Sequence, residues 1–292
     1  MFQGVLTALV TPMHNDGLDM ASFEKCLDRQ LAGGVHGVVP CGTTGESATL
    51  TMEEQAQLIR QTVATCKGKV KVVAGSGTNS TAETIQLTRQ AQELGADAAL
   101  LITPYYNKPT PEGLFRHFQA VAQAVDLPII LYNVPGRTVT ELSLDTVARL
   151  AEVPNIVGIK DASANMERIS WLRKRCGKEF TLLSGDDATF LPFLSVGGDG
   201  VISVSSNLVP EKMAAIWSSW QSGQWQAALT VHEQLLEIHK LLFCETNPIP
   251  AKAAMHLMGL CGPEIRLPLV VMSDANEKLL RQALVNLSLP LG

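Results

Sequence analysis

Residues 51–104 read TMEEQAQLIRQTVATCKGKVKVVAGSGTNSTAETIQLTRQAQELGADAALLITP, and the alternation inside this stretch decides the fold. MEEQAQLIRQTVATC (52–66) and TAETIQLTRQAQELG (81–95) carry apolar residues at three- and four-residue spacing, the mark of an amphipathic helix. Thr51 and Ser80 precede them as caps. Between and after them, Val70–Ala74 and Ala98–Ile102 are nearly continuous apolar runs, the pattern of a parallel strand covered on both faces. Working outward, the same reading places strands at Val5–Val10, Gly37–Pro40, Pro128–Tyr132, Ile156–Ile159, Thr181–Leu183 and Val201–Val204. Eight strand–helix units over about 220 residues predict an α/β chain folded as a (β/α)8 TIM barrel. A doubly wound sheet usually has fewer strands and a Gly-rich first turn, and neither applies.

After residue 223 the strand signal stops. SGQWQAALTVHEQLLEIHKLL, NPIPAKAAMHLMGLCG and SDANEKLLRQALVNL all read as helices, the middle one after a Pro-containing break. The expected organisation is a catalytic barrel at 1–223 and a small helical domain at 224–292. No low-complexity linker separates them, so the helices should pack on the barrel.

The chain has 292 residues, 46% hydrophobic and 17% charged, with a net charge of −5. That is a soluble globular composition, and its mild acidity argues against a nucleic-acid partner. No apolar run approaches the roughly 18 residues of a membrane span, and the first residues lack a basic signal-peptide flank. The six cysteines lie far apart without a CxxC pair, which points to reduced thiols and a cytoplasmic protein.

In such a barrel the chemistry sits at the C-terminal ends of the strands. The segments there read CGTTGES (41–47), GSGTNS (75–80), TPYYNKPT (103–110), YNVPGRT (132–138), KDAS (160–163), SGDD (184–187) and SVSSN (203–207). None holds a histidine, so neither a His-ligated metal nor a Ser–His triad is expected, and His232 and His239 read as solvated or capping residues. Lys160 closes the apolar run NIVGIK. A lysine at such a position either reaches solvent, pairs with Asp161 or Asp187, or serves as a Schiff-base amine. Burial favours the neutral form that attacks a carbonyl. Lys69 and Lys71, at the entering end of a strand, read as surface residues of the barrel floor. All three tyrosines (Tyr105, Tyr106, Tyr132) fall at strand exits, where a phenol among hydroxyls such as Thr43 and Thr44 can shuttle protons. Arg137 suits a carboxylated substrate, though a loop arginine is also an ordinary surface residue. Gly197, Gly198 and Gly200 either cradle a phosphate or permit close packing, and no second phosphate signal favours the cradle.

Taken in order, LTALVTPM, GTTGES, TPYYNKPT, YNVPGRT, GIKDAS, GDGVISV and NPIPAK resemble the dihydrodipicolinate synthase family of pyruvate-dependent class I aldolases over essentially the whole chain. The resemblance implies condensation of pyruvate with L-aspartate 4-semialdehyde, the committed step toward diaminopimelate and lysine. It implies that Lys160 forms the pyruvate imine, that Tyr132 is the general acid/base, and that Thr43 relays protons between Tyr132 and a Tyr106 donated by a neighbouring subunit. Thr44 and Ile202 would hold pyruvate, Gly185 would join the substrate-binding residues, and Arg137 would bind the semialdehyde carboxylate. No cofactor or metal is implied, and the assembly would be a homotetramer, a dimer of dimers. A lysine effector site would match Ser47, Ala48, Asn79, Glu83 and Tyr105, but Met52 and Gln55 replace the histidines of lysine-sensitive bacterial members. Sister aldolases such as N-acetylneuraminate lyase are the alternative, with Arg137 the discriminator. A pyridoxal-phosphate barrel would need a phosphate cradle, and a catalytically dead barrel would have no reason to keep the whole Lys–Tyr–Thr–Arg set.

Overall fold

The computed structural model describes residues 2–292. Eight parallel strands close into a barrel: β1 (Gly4–Ala8), β4 (Gly37–Val39), β5 (Lys71–Gly75), β6 (Ala98–Ile102), β7 (Ile129–Asn133), β8 (Ile156–Asp161), β9 (Thr181–Ser184) and β10 (Gly200–Ser203). Pairing of β1 with β10 completes the ring, with Leu6 opposite Ile202. Helices return the chain between strands: α1 (Met20–Ala32), α2 (Met52–Cys66), α3 (Thr81–Glu93), α4 (Pro111–Ala124), α6 (Leu144–Leu150), α7 (Met166–Cys176), α8 (Phe190–Ser195) and α9 (Pro210–Gln221). Two short elements are new relative to the sequence reading. A hairpin of β2 (Met13–His14) and β3 (Gly17–Leu18) turns through Asn15 and Asp16, both at positive φ, and a one-turn α5 (Pro135–Thr138) sits in the loop after β7.

The strands are continuously apolar because each faces two cores. Val5, Val72, Leu101, Leu131, Ile159 and Leu182 point outward into the layer under the helices. Leu6, Val73, Leu100, Ile130, Leu183 and Ile202 point inward and fill the barrel. Side chains alternate along a strand, so Tyr132 and Lys160, next after the outward Leu131 and Ile159, must point inward. Register confirms the pairing: Leu131 lies opposite Ile159, and Tyr132 opposite Lys160.

Among the described residues, six of the twelve α-helices, α1 to α4 included, are capped at their start by a side chain. Thr51 Oγ1 accepts the Glu54 N–H at 3.2 Å while Glu54 accepts the Thr51 N–H at 2.9 Å, a reciprocal capping box. Beyond the barrel, α10 (Trp225–Leu241), α11 (Ile249–Leu257) and α12 (Asp274–Asn286) follow. Leu235, Ile238, Met255, Leu280 and Leu284 from these helices share one buried cluster with Val209 and Met213, so they are packed onto the barrel directly. Lys71 is exposed and faces Asp97 at 3.5 Å at the barrel floor, as expected. At the entry to β10, a Cβ on Gly198 would strike the Phe193 ring and one on Gly200 the Gly4 carbonyl. Both glycines therefore serve close packing, and they stand at the opposite end of the barrel from the strand exits.

Candidate active site

A cavity of about 330 Å³ opens over the exit end of the barrel, lined among others by Thr43, Thr44, Tyr132, Arg137, Lys160 and Gly185. Lys160 enters it from β8, which runs on to Asp161, so the lysine lies inside the strand instead of just beyond it. The residue is only 6% exposed. Neither pairing considered for it occurs. Asp161, alternating to the other face, receives Arg168 Nε at 2.9 Å and Asn133 Nδ2 at 3.0 Å. Asp187 accepts the backbone N–H groups of Val204 and Ser205, each at 2.9 Å. Among the described residues Lys160 has no carboxylate partner, and its Nζ stands 4.2 Å from the centre of the Tyr132 ring. The floor beside it must be glycine. A Cβ on Gly185 would lie 2.6 Å from Ala162 Cβ and 3.1 Å from Lys160 Cε.

Tyr132 is held from below, where its carbonyl accepts both the N–H and the Oγ1–H of Thr103 at 2.9 Å. Thr43 and Thr44 come from a tight turn after β4. The Glu46 N–H donates to the Thr43 carbonyl at 3.1 Å, and Thr11 Oγ1 donates to the Gly45 carbonyl at 2.7 Å. Ile202 reaches the cavity from the inward face of β10. Arg137 lies in the single turn of α5, exposed at the cavity mouth, and its guanidinium donates to the Asn247 carbonyl at 3.1 Å. An enclosed amine with no counter-carboxylate, a phenol against it, hydroxyls opposite and a guanidinium at the rim suit carbonyl chemistry on a carboxylated substrate.

The chain matches the Dihydrodipicolinate synthetase family over residues 1–287. It belongs to that family. It is 56% identical over 289 residues to the 4-hydroxy-tetrahydrodipicolinate synthase of Magnetococcus marinus (strain ATCC BAA-1437 / JCM 17883 / MC-1), with 99% of each chain covered. Dihydrodipicolinate synthase from Aquifex aeolicus superposes with a TM-score of 0.98 at 45% identity, over 99% of both chains. The chloride-inhibited enzyme from Acinetobacter baumannii, complexed with pyruvate, gives a TM-score of 0.97 at 46% identity, over 99% of this chain and 100% of that one.

For a member of the dihydrodipicolinate synthetase family, the remaining site positions fall in three places. Tyr106 does not reach the cavity of its own chain. It stands 91% exposed on the loop after β6, with a left-handed φ of 72°. No hydrogen bond joins Thr43 to Tyr132 among the described residues. Ser47, Ala48, Gln55 and Tyr105 line a second cavity of about 300 Å³, which Thr43 and Arg137 also border. Asn79 Nδ2 donates to the Tyr105 carbonyl at 3.2 Å, and Glu83 accepts from Thr78 Oγ1 at 3.1 Å. Burial and the Glu83 charge push the Tyr105 phenol up. Met52 stays outside this cavity, its sulfur accepting Gln86 Nε2 at 3.5 Å.

One expectation is corrected. His232 and His239 are buried, not solvated or capping, because α10 turns that face onto the barrel. His239 Nδ1 lies 2.7 Å from Ser205 Oγ, and burial holds its imidazole below the usual range against the opposing pull of Asp187. Sequence reading also missed the lining residues Asn247 and Phe243. Asn247 Nδ2 donates to Thr44 Oγ1 at 3.1 Å. Its only local signal is the Pro-containing break before α11, and nothing local ties that break to the Thr44 turn.

Proposed function

We propose that the protein is a 4-hydroxy-tetrahydrodipicolinate synthase, condensing pyruvate with L-aspartate 4-semialdehyde. The observation that carries this reading is Lys160, enclosed, inward and without a carboxylate partner against the Tyr132 ring. The Lys160 amine adds to the pyruvate ketone, and the carbinolamine loses water to give an imine. Tyr132 supplies and removes the protons of that step. Loss of a methyl proton forms the enamine, whose carbon bonds to the aldehyde carbon while the aldehyde oxygen gains a proton. The substrate amine then adds to the imine carbon, closing the ring and expelling Lys160 as the free amine. Thr44 and Ile202 hold pyruvate, Gly185 leaves room for the adduct, and Arg137 takes the semialdehyde carboxylate through a charge-assisted contact. The imine itself supplies the electron sink, so the chemistry calls for no cofactor or metal.

In this reading residues 1–223 are the catalytic barrel and 224–292 the helical domain. The chain works in the cytoplasm as a homotetramer in which a neighbour's Tyr106 completes the relay through Thr43. The outward, strained placement of Tyr106 supports that assignment.

The test is a coupled assay with both substrates, together with borohydride added to enzyme and pyruvate. The expected result is turnover and a pyruvate-sized adduct on Lys160 by peptide mass spectrometry, lost in Lys160→Ala. Tyr132→Phe should still bind pyruvate but turn over about 10²- to 10⁴-fold more slowly. An adduct on another lysine, or none, overturns the mechanism. Cleavage of N-acetylneuraminate with no use of the semialdehyde would favour a sister aldolase.

A further inference from the structure

Among the described residues two lysines are buried, Lys160 and Lys252. Lys252 lies on α11 with its side chain 2% exposed, and its ammonium donates at 2.5 Å to Glu46 Oε1, whose side chain is equally enclosed. The second carboxylate oxygen, Oε2, accepts the backbone N–H of Arg266 at 3.2 Å. Glu46 is the residue that closes the turn carrying Thr43 and Thr44. It has a left-handed φ of 59°, and its own N–H holds the Thr43 carbonyl at 3.1 Å. At the start of the same segment, Asn247 donates to the Thr44 hydroxyl and accepts Arg137. The stretch from Asn247 to Lys252 thus grips this turn at both ends, and the grip comes from outside the barrel.

An ion pair in the interior is not explained by stability, since an apolar pair of similar volume is often as stable. A carboxylate fixed by an ammonium and a backbone N–H does have one thing an apolar contact lacks, a defined direction. We propose that Lys252 is a positioning residue, which through Glu46 sets the turn that presents Thr43 and Thr44 to pyruvate. This rests on the reading of Thr44 as a holder of pyruvate.

The experiment compares Glu46→Gln, Lys252→Met and the double variant Glu46→Gln/Lys252→Met, with Thr44→Val alongside. Readouts are Tm, the Michaelis constant for pyruvate, kcat, and the rate of borohydride trapping. Each single variant strands a buried charge or polar group, so Tm falls, and the double variant leaves no uncompensated charge, so Tm recovers. Catalysis is expected not to follow Tm. In the double variant as in the singles, pyruvate KM rises and trapping slows by about ten- to a hundredfold, the size of effect that a small misplacement produces. A double variant that regains Tm and wild-type kinetics together overturns the proposal and leaves the pair a structural contact. Wild-type pyruvate KM in Thr44→Val overturns it through its premise, and the two failures are told apart by which protein shows them. If Lys252→Met does not fold, Glu46→Gln and the double variant carry the same comparison.

Discussion

At Gly185 the absence of a single carbon atom leaves room for the Lys160 side chain. Gly185→Ala would bring a methyl group against Ala162 and Lys160 Cε. The barrel wall cannot yield far, because packed interiors have few voids. The expected outcome is that borohydride trapping of pyruvate slows by about tenfold or more, with the lysine still present and the fold intact by circular dichroism. Trapping at the wild-type rate would show that the lysine reaches the substrate by another route. A second residue-scale expectation concerns lysine as an effector. Gln55 borders the cavity with Ser47 and Tyr105 but cannot carry charge, and Met52 stands outside it with only a thioether acceptor. Coupling between sites is typically about 1–3 kcal/mol, so one missing polar contact is enough to remove most of it. Titrating lysine against initial rate, with both substrates near KM, should show weak or no inhibition. Tight inhibition in the micromolar to low-millimolar range would show that these two positions do not disable the site.

Element boundaries and helix caps obey simpler rules. Thr51 and Glu54 satisfy each other's N–H groups at the start of α2, which four orphan N–H groups would otherwise leave to water. Glu54 is engaged a second time by Arg266, whose guanidinium and the turn's N–H hold its carboxyl below the usual range. Thr51→Ala should cost about 1 kcal/mol of stability, read as a lower urea midpoint at unchanged slope. No change in midpoint would mean that the Arg266 pair already anchors this end. The strand read at Ile156–Ile159 was placed by its apolar run, and β8 in fact continues through Lys160 and Asp161. A pattern of hydrophobicity ends where polar side chains begin, whereas a backbone ladder continues wherever the neighbouring strand offers partners. That is why the strands are legible while seven of the eight exits fall a residue or two from their expected ends, β6 alone ending at Ile102 as expected. The hairpin of β2 and β3 was missed for a related reason: two residues per strand carry no periodicity.

For the whole molecule, buried histidines set a pH dependence. Burial pushes His117 down to about 4 in the folded protein, and His36, His232 and His239 are shifted in the same direction, burial again the largest cause. In the unfolded chain a histidine takes up a proton near pH 6.5. Below that pH the unfolded state therefore binds more protons, and stability falls as pH drops from about 6.5 toward 4. For His117 alone the loss amounts to at most about 3 kcal/mol across that window. Melting temperatures measured from pH 8 to pH 5 should decline on the acidic side, and His117→Gln should flatten the decline. A flat profile in the wild type would show that these histidines protonate without unfolding cost.

The local order of residues was enough to determine the barrel and the strand-exit cluster of Lys160, Tyr132, Thr43, Thr44 and Arg137, whereas Gly185 and Ile202 entered only through the family resemblance. Burial on both faces forces continuous apolar strands, amphipathic helices must alternate with them, and the exits of such strands converge at one end. Lys160, Tyr132, Thr43, Thr44, Arg137, Gly185 and Ile202 all border the one cavity because their strands end there. Tertiary structure alone decided what lies opposite them. The freedom of Lys160 from Asp161 and Asp187 follows from strand parity and from donors supplied by Arg168, Asn133, Val204 and Ser205. The burial of His232 and His239 depends on which face α10 turns to the barrel. The grip of Asn247 and Lys252 on the Thr44 turn joins residues about two hundred positions apart. Such contacts leave no periodic trace along the chain, because they are set by where rigid elements dock and not by the propensity of any segment.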